Sequence, residues 1–210
     1  MRLDLPPIYP ITDKRLSGRS THREILRELI RGGARLVQIR DRETPVAELL
    51  DDLRRSVELA ERHGTLLVVN DRADLALVSG ACGVHLGQHD LPPKAARRVL
   101  GPRRIIGYST HTLGQVRAAA RLPVDYIGFG PVYRTATKTD AARVVGLDGL
   151  ARACRIASVA VVAIGGIGLS QVRETLEAGA ESVAVISALM RAPSLSRQME
   201  LFLDAATGTR

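Results

Sequence analysis

Eight short apolar runs, rich in valine and isoleucine, recur along the whole chain at similar intervals. They are Ile8–Ile11, Leu36–Ile39, Leu66–Val69, Gly83–Gly87, Ile105–Tyr108, Tyr126–Val132, Val159–Ile164 and Ser182–Ile186. Runs this short and this apolar suit strands covered on both faces, as in a parallel sheet. Most are followed by a segment of helical period. Thr21-His22-Arg23-Glu24 reads as a capping box ahead of Ile25, Leu26, Leu29 and Ile30, and Gly32-Gly33 stops that helix. Pro45 suits the first turn of the next helix, in which Val46, Leu49, Leu50, Leu53 and Val57 repeat at three and four until Gly64. Further helices are predicted over Asp74–Val78, Pro93–Leu100, Leu113–Arg121, Leu147–Ile156, Ser170–Ala178 and Ala188–Ala205. No linker or low-complexity segment interrupts the alternation. Eight strands alternating with about eight helices predict a single (β/α)8 TIM-barrel domain over residues 1–210. A doubly wound open sheet is the alternative, disfavoured because no Gly-x-Gly-x-x-Gly follows the first strand.

Composition narrows the partners. The formal charge of +8 favours anionic ligands, nucleic acid among them. Yet aromatics are 3% of the chain, tryptophan is absent, and basic runs stop at pairs such as Arg54-Arg55, Arg97-Arg98 and Arg103-Arg104, so bases would find few stacking platforms. The reading is therefore no nucleic acid, and small phosphorylated substrates account for the charge. No stretch of 18 or more apolar residues occurs, and Met1-Arg2-Leu3-Asp4 lacks the apolar run of a signal peptide. That predicts a cytoplasmic chain without a membrane partner and leaves a homo-oligomer open. Cys82 and Cys154 are far apart, outside any metal or redox spacing, and read as small buried side chains.

In a barrel of this kind the C-terminal strand ends and the loops after them build the site. Here they carry Thr12-Asp13, then Gln38-Ile39-Arg40-Asp41-Arg42, then Asn70-Asp71-Arg72. Gln88-His89-Asp90, Ser109-Thr110-His111, Thr135-Ala136-Thr137-Lys138, Gly165-Gly166 and Ser187 follow. Asp71, Asp90 and Ser187 would each serve equally as a helix N-cap, and Gly165-Gly166 as a tight turn. Several such groups on one rim are harder to explain that way. Arg40, Arg42 and Lys138 are cations suited to a multiply charged phosphate, the arginines bidentately. The Thr135–Lys138 loop adds hydroxyls and backbone N–H donors. Asp71 and Asp90, on neighbouring strand ends, are hard oxygen ligands that suit Mg²⁺ beside phosphate oxygens. Gly165, Gly166 and the Ile186-Ser187 turn precede the last two helices, where barrels commonly hold a second phosphate. Two phosphorylated substrates joined with loss of pyrophosphate would fit such a rim.

The motifs carry a resemblance. Tyr9-x-Ile11-Thr12-Asp13, Gln38-x-Arg40-x-Arg42, Asn70-Asp71-Arg72, Gly83-Val84-His85-Leu86-Gly87-Gln88-x-Asp90, Gly107-x-Ser109-x-His111, Gly130-Pro131-Val132 with Thr135-x-Thr137-Lys138, and Ala163-Ile164-Gly165-Gly166-Ile167 occur in order over nearly the whole chain. Together they resemble the thiamine phosphate synthase family. The resemblance implies a TIM-barrel transferase of thiamine biosynthesis. It would couple hydroxymethylpyrimidine diphosphate to a thiazole phosphate, carboxylated or not, and release pyrophosphate. It implies Gln38, Arg40, Arg42, Asn70, Ser109 and Lys138 around the pyrimidine diphosphate, with Arg40, Ser109 and Lys138 catalytic. It also implies Asp71 and Asp90 on Mg²⁺, and Thr135, Thr137, Gly165, Ile186 and Ser187 around the thiazole phosphate. One position departs: the family pattern usually has lysine where this chain has Arg42, a substitution that keeps the charge in a bulkier, forked group. The nearest rival is a thiazole tautomerase of the same superfamily, with His111 carrying the proton. The Thr-x-Thr-Lys loop and both aspartates favour the synthase.

Overall fold

The computed structural model describes residues 3–135 and 143–208. Its strands are β1 Ile8–Pro10, β2 Leu36–Ile39, β3 Leu66–Asn70, β4 Gly83–Leu86, β5 Ile105–Thr110, β6 Tyr126–Phe129, β7 Ala160–Ile164 and β8 Ser182–Val185. All pair in parallel, in the order β1-β8-β7-β6-β5-β4-β3-β2. A bridge between Ile11 and Gln38, with Thr12 N donating to Gln38 O at 2.9 Å, joins β1 to β2 and closes the barrel. The expected TIM barrel is thus the observed architecture, and the open sheet is not.

The helices outside it are α1 Lys14–Ser17, α2 His22–Arg31, α3 Val46–Arg62, α4 Ala73–Ser79, α5 Pro93–Leu100, α6 Leu113–Ala119, α7 Gly146–Ile156, α8 Val172–Glu177, α9 Ser187–Met190 and α10 Leu195–Thr207. Helix α2 shows how pattern becomes packing. Thr21 accepts from Glu24 N while Glu24 reaches back to Thr21 N, and the apolar stripe of Ile25, Leu26 and Leu29 is wholly buried. Each such side chain stabilises the fold by about 1.5–3 kcal/mol relative to exposure. Among the described residues no helix is long and apolar enough to cross a membrane.

Several boundaries differ from expectation. The helix expected over Ala188–Ala205 is two helices, α9 and α10, broken at Pro193. Pro193 has no N–H to donate, and Ser194 caps α10 by accepting from Arg197 N at 3.3 Å. Glu28 Oε2 takes the Leu195 N–H and Arg19 takes the Pro193 carbonyl, so the break is tied to α2. Strand β6 ends at Phe129 rather than Val132, because Pro131 cannot continue the ladder. Pro45 precedes α3 at its N-cap instead of lying in the first turn, and a 3₁₀ turn, Leu169–Gln171, leads into α8. The short α1 was not expected; Asp13 caps it through Leu16 N, and Gly18 ends it in a left-handed conformation. Cys82 and Cys154 are half-buried rather than buried, and both are free.

Along each strand the residues that face the barrel interior lie two apart, as the pleat requires. Gln38 and Arg40, Tyr126 and Gly128, Val162 and Ile164, and Ala184 and Ile186 are such pairs. Their neighbours Val37, Ile127, Val161 and Val183 lie in the buried layer against the helices. The cavity wall is therefore apolar on β7 and β8, while Tyr9, Gln38, Asn70, His85, Ser109 and Tyr126 bring polar groups to it from β1 to β6.

Candidate active site

At the C-terminal end of the barrel lies a cavity of about 1150 Å³. Gln38, Arg40, Arg42, Asn70, Asp71, Asp90, Ser109 and Ile186 all line it, so residues spread over 149 positions of sequence reach one wall. His111, the rival proton carrier, lines it too; its Nδ1 donates to the Gly130 carbonyl at 2.7 Å. Gly165 and Ser187 stand next to the lining residues Ile164 and Ile186. Gly165 is required where it is: its φ is 104°, and a Cβ there would lie 2.5 Å from Pro131 Cβ. Thr135 lies in the β6–α7 connection, whose start is anchored by Tyr133 N donating to Gly165 O and by Tyr133 OH donating to Glu174. Thr137 and Lys138 lie outside the described residues.

The acidic pair answers the capping alternative. Arg72, not Asp71, is the N-cap of α4 and makes no side-chain capping bond; Pro92 is the N-cap of α5. Asp71 instead stands within hydrogen-bond reach of Asp90, and Arg42 Nη2 approaches Asp71 Oδ2 at 3.3 Å. Burial first, and then Asp90, push the Asp71 carboxyl above its ordinary range, while Arg42 pulls it back. Asp90 Oδ2 accepts from Gly87 N at 2.6 Å, which folds the β4 loop back on itself. Ser187 is the first residue of α9, after the N-cap Ile186, and so is not a cap either.

Two donors on the wall have no acceptor among the described residues: Arg40 Nε and Asn70 Nδ2, both buried. Burial, reinforced by Arg42, lowers the pKa of the Arg40 guanidinium, although the group stays a cation. A site with orphaned donors and paired cations is organised for a ligand rich in acceptor oxygens.

Sequence reasoning missed two clusters. Below the strand ends, Gln38, Tyr9, Tyr126, His85 and Ser109 form a continuous hydrogen-bonded chain across the barrel. The second cluster surrounds His22, which is 1% exposed. Its Nδ1 meets Thr12 Oγ1 at 2.8 Å and its Nε2 meets Asp41 Oδ2 at 2.9 Å. Asp41 also accepts from Glu43 N, from Thr44 N and Oγ1, and pairs with Lys14 at 3.0 Å. Although burial opposes ionisation, these donors hold its carboxyl well below the usual carboxylate range. Burial lowers the His22 pKa against the pull of Asp41. A neutral ring with the proton on Nε2 satisfies both contacts: Asp41 accepts, and Thr12 donates to Nδ1 while accepting from Arg40 N at 3.2 Å. The cluster thereby fixes the backbone between Arg40 and Arg42.

The family model described as thiamine monophosphate synthase matches residues 8–189. The chain is 43% identical to a thiamine-phosphate synthase of Albidiferax ferrireducens, over 91% of this chain and 88% of that protein. It is 44% identical to the thiamine biosynthesis bifunctional protein ThiM/ThiE of Symbiobacterium thermophilum, covering 97% of this chain but 44% of that protein, less than half its length. Among solved structures, thiamine phosphate pyrophosphorylase from Pyrococcus furiosus superposes with a TM-score of 0.88 at 35% identity, over 97% of this chain and 96% of that one. Barrel, rim and relatives agree: the chain belongs to the thiamine monophosphate synthase family.

Proposed function

We propose that the protein is a thiamine phosphate synthase, a transferase that joins hydroxymethylpyrimidine diphosphate to a thiazole phosphate and releases pyrophosphate. The observation that carries this reading is the pair of buried, unanswered donors, Arg40 Nε and Asn70 Nδ2, on a wall shared with Arg42 and two facing carboxylates. A diphosphate supplies the acceptor oxygens these groups lack. Gln38, Arg40, Arg42, Asn70 and Ser109 hold the pyrimidine diphosphate, joined by Lys138. Thr135, Gly165, Ile186 and Ser187, with Thr137, take the thiazole phosphate.

Asp71 and Asp90 fit Mg²⁺. Two carboxylates held together under desolvation are relieved by a cation. Among the described residues no group of three or more acidic, histidine or cysteine side chains forms a fuller ligand set. Asp71 and Asp90 would hold the ion, and the phosphate oxygens of the substrate are hard ligands of the same kind. When bound, the ion supplies charge neutralisation to the diphosphate.

In the reaction, the bond between the pyrimidine's methylene carbon and the diphosphate oxygen breaks, its electron pair leaving with pyrophosphate. The thiazole nitrogen's lone pair forms the new carbon–nitrogen bond. The electron-rich aminopyrimidine tolerates positive charge on that carbon, so no strong nucleophile or general base is required. Arg40 and Lys138 stabilise charge on the leaving group as it develops, Arg42 adds a further cation, and Ser109 orients the pyrimidine portion. Soluble phosphorylated substrates make the cytoplasm the setting of this reaction. Steady-state coupling with pyrophosphate detection tests the reading. Wild type with Mg²⁺ should turn over, EDTA should abolish the reaction, and Arg40→Ala should cut kcat by at least about 10²-fold. Undiminished coupling by Arg40→Ala would refute the placement of the diphosphate.

A further inference from the structure

The chain of hydrogen bonds at the barrel floor has a direction. Gln38 Nε2, which can only donate, gives a hydrogen bond to Tyr9 Oη at 3.1 Å. Tyr9 Oη lies 2.9 Å from Tyr126 Oη, which lies 3.0 Å from His85 Nδ1; His85 Nε2 lies 2.9 Å from Ser109 Oγ. Tyr9 and Tyr126 are 1% and 0% exposed, so each hydroxyl hydrogen is best satisfied by a partner within the protein. Were Tyr126 to donate to Tyr9, the Tyr9 hydrogen would have no acceptor among the described residues. With Tyr9 donating to Tyr126, Tyr126 donates to His85 Nδ1, and every link is satisfied. The imidazole must then carry its proton on Nε2 and donate to Ser109 Oγ. With its oxygen engaged there, the Ser109 hydroxyl hydrogen is the link left to point into the cavity.

The packing preserves this arrangement. The Tyr9 and Tyr126 rings meet edge to face, 5.9 Å apart at 74°, and His85 lies against Tyr126 at 5.5 Å. Gly107, opposite both His85 and Tyr126 in the ladders, leaves the space in which those two side chains meet; a Cβ there would overlap the phenol and the imidazole.

We propose that His85, held as its neutral Nε2–H tautomer by Tyr126, is a positioning residue that fixes Ser109 as a hydrogen-bond donor toward an acceptor atom of the pyrimidine diphosphate. The chain of five residues rests on the free protein alone; its consequence for the substrate rests on the function proposed above. His85 acts on the reacting molecule through Ser109; Tyr126 and Tyr9 stand one and two links further back, and Gln38, at the far end of the chain, meets the substrate itself.

The test has a structural and a kinetic arm. In the ligand-free, ¹⁵N-labelled protein, long-range ¹H–¹⁵N spectra report the tautomer of each of the five histidines, and His85→Gln assigns the signal. A protonated Nε2 with a bare Nδ1 is expected for His85, and Tyr126→Phe should release that selection. The opposite tautomer would make Ser109 a donor to His85 instead of to substrate and would overturn the proposal. In the kinetic arm, Tyr126→Phe should lower kcat/KM by roughly 3- to 10-fold, the scale of one neutral hydrogen bond. In a Ser109→Ala background it should add little further loss. His85→Gln, whose amide still reaches Ser109 as a donor, should retain more activity than His85→Leu. Losses that simply add would show damage to packing rather than a directed chain. Should wild type couple no substrates at all, the proposed function fails, while the tautomer measurement still decides the chain.

Discussion

Asp71 leaves α4 uncapped and has Asp90 and Arg42 as its charged neighbours, and it does so from a left-handed backbone with φ 63°. A non-glycine residue in that region is uncommon, and aspartate and asparagine tolerate it best. The conformation brings two carboxylates together on one wall of the cavity, with Arg42 as the cation that approaches Asp71.

The pair predicts opposite effects on stability and activity. An acid whose folded pKa is raised costs the folded state stability once pH rises above its unfolded value, and recovers it as pH falls. Asp71→Asn keeps the backbone and removes one charge. Without Mg²⁺ at pH 7 it should melt at or above wild type, by about 2–4 °C for each kcal/mol regained in a chain of this size. Asp71→Ala, strained by the left-handed backbone, should melt below Asp71→Asn. Mg²⁺ should raise the melting temperature of wild type but not of Asp71→Asn, whose coupling activity should fall by at least about 10²-fold. Thermal scans with and without the ion check both, and an unchanged Mg²⁺ response would remove Asp71 from the ligand set.

Gly107 should tolerate no side chain. Gly107→Ala places a methyl group into the phenol of Tyr126 and the ring of His85. Overpacking of this kind costs about 1–3 kcal/mol, or more where the neighbours are fixed. Urea unfolding should show that loss, together with reduced activity because Ser109 loses its partner. A variant as stable as wild type would mean the barrel floor can shift.

Arg42 predicts the reverse combination. Its side chain is 61% exposed and meets Asp71 at 3.3 Å, so its loss should leave the unfolding midpoint nearly unchanged. Its charge should matter to the diphosphate. Arg42→Lys should stay within about tenfold of wild type in kcat/KM, equivalent to 1.4 kcal/mol, and Arg42→Ala should lose far more. Equal damage by both would assign the effect to the forked guanidinium rather than to the charge.

Acid should loosen the β2–α3 connection in two stages. The His22 pKa is lowered in the fold, so its contribution is present above its ordinary value of about 6.5 and declines as pH falls below it. Asp41 is depressed, so its contribution is present above about 3.9 and is lost as pH falls further. Asp41→Asn breaks a pair with Lys14 in which the carboxylate is buried and the ammonium partly exposed, and should cost about 2–3 kcal/mol at pH 7. Urea midpoints measured from pH 8 to pH 3 should show wild type and variant converging below about pH 4. A constant gap would exclude the carboxylate's charge as the cause.

The barrel was legible because its signal repeats: buried strands of three to six residues alternate with helices from Ile8 to Val185, and a shifted boundary such as Phe129 for Val132 does not alter the count. The helix break at Pro193 was legible in principle, since a proline with serine after it is a stop and a start, but the apolar pattern ran through it. The rim residues were readable because each ends a strand. His22 was not: within Thr21-His22-Arg23-Glu24 the capping box is the local signal, and its partners Thr12 and Asp41 are brought by tertiary packing alone. Tyr9 and Tyr126 left a fainter trace. They are two of only four tyrosines and both line the cavity, but pairing across 117 residues follows only from the closed barrel.

The central claim is bond exchange between two phosphorylated substrates, and mass spectrometry in deuterated water tests it most directly. Purified protein with Mg²⁺, hydroxymethylpyrimidine diphosphate and thiazole phosphate should yield thiamine phosphate and pyrophosphate in equal amounts, with no deuterium gained in unreacted thiazole beyond the protein-free control. Deuterated thiazole without thiamine phosphate, abolished by His111→Ala, would contradict the account.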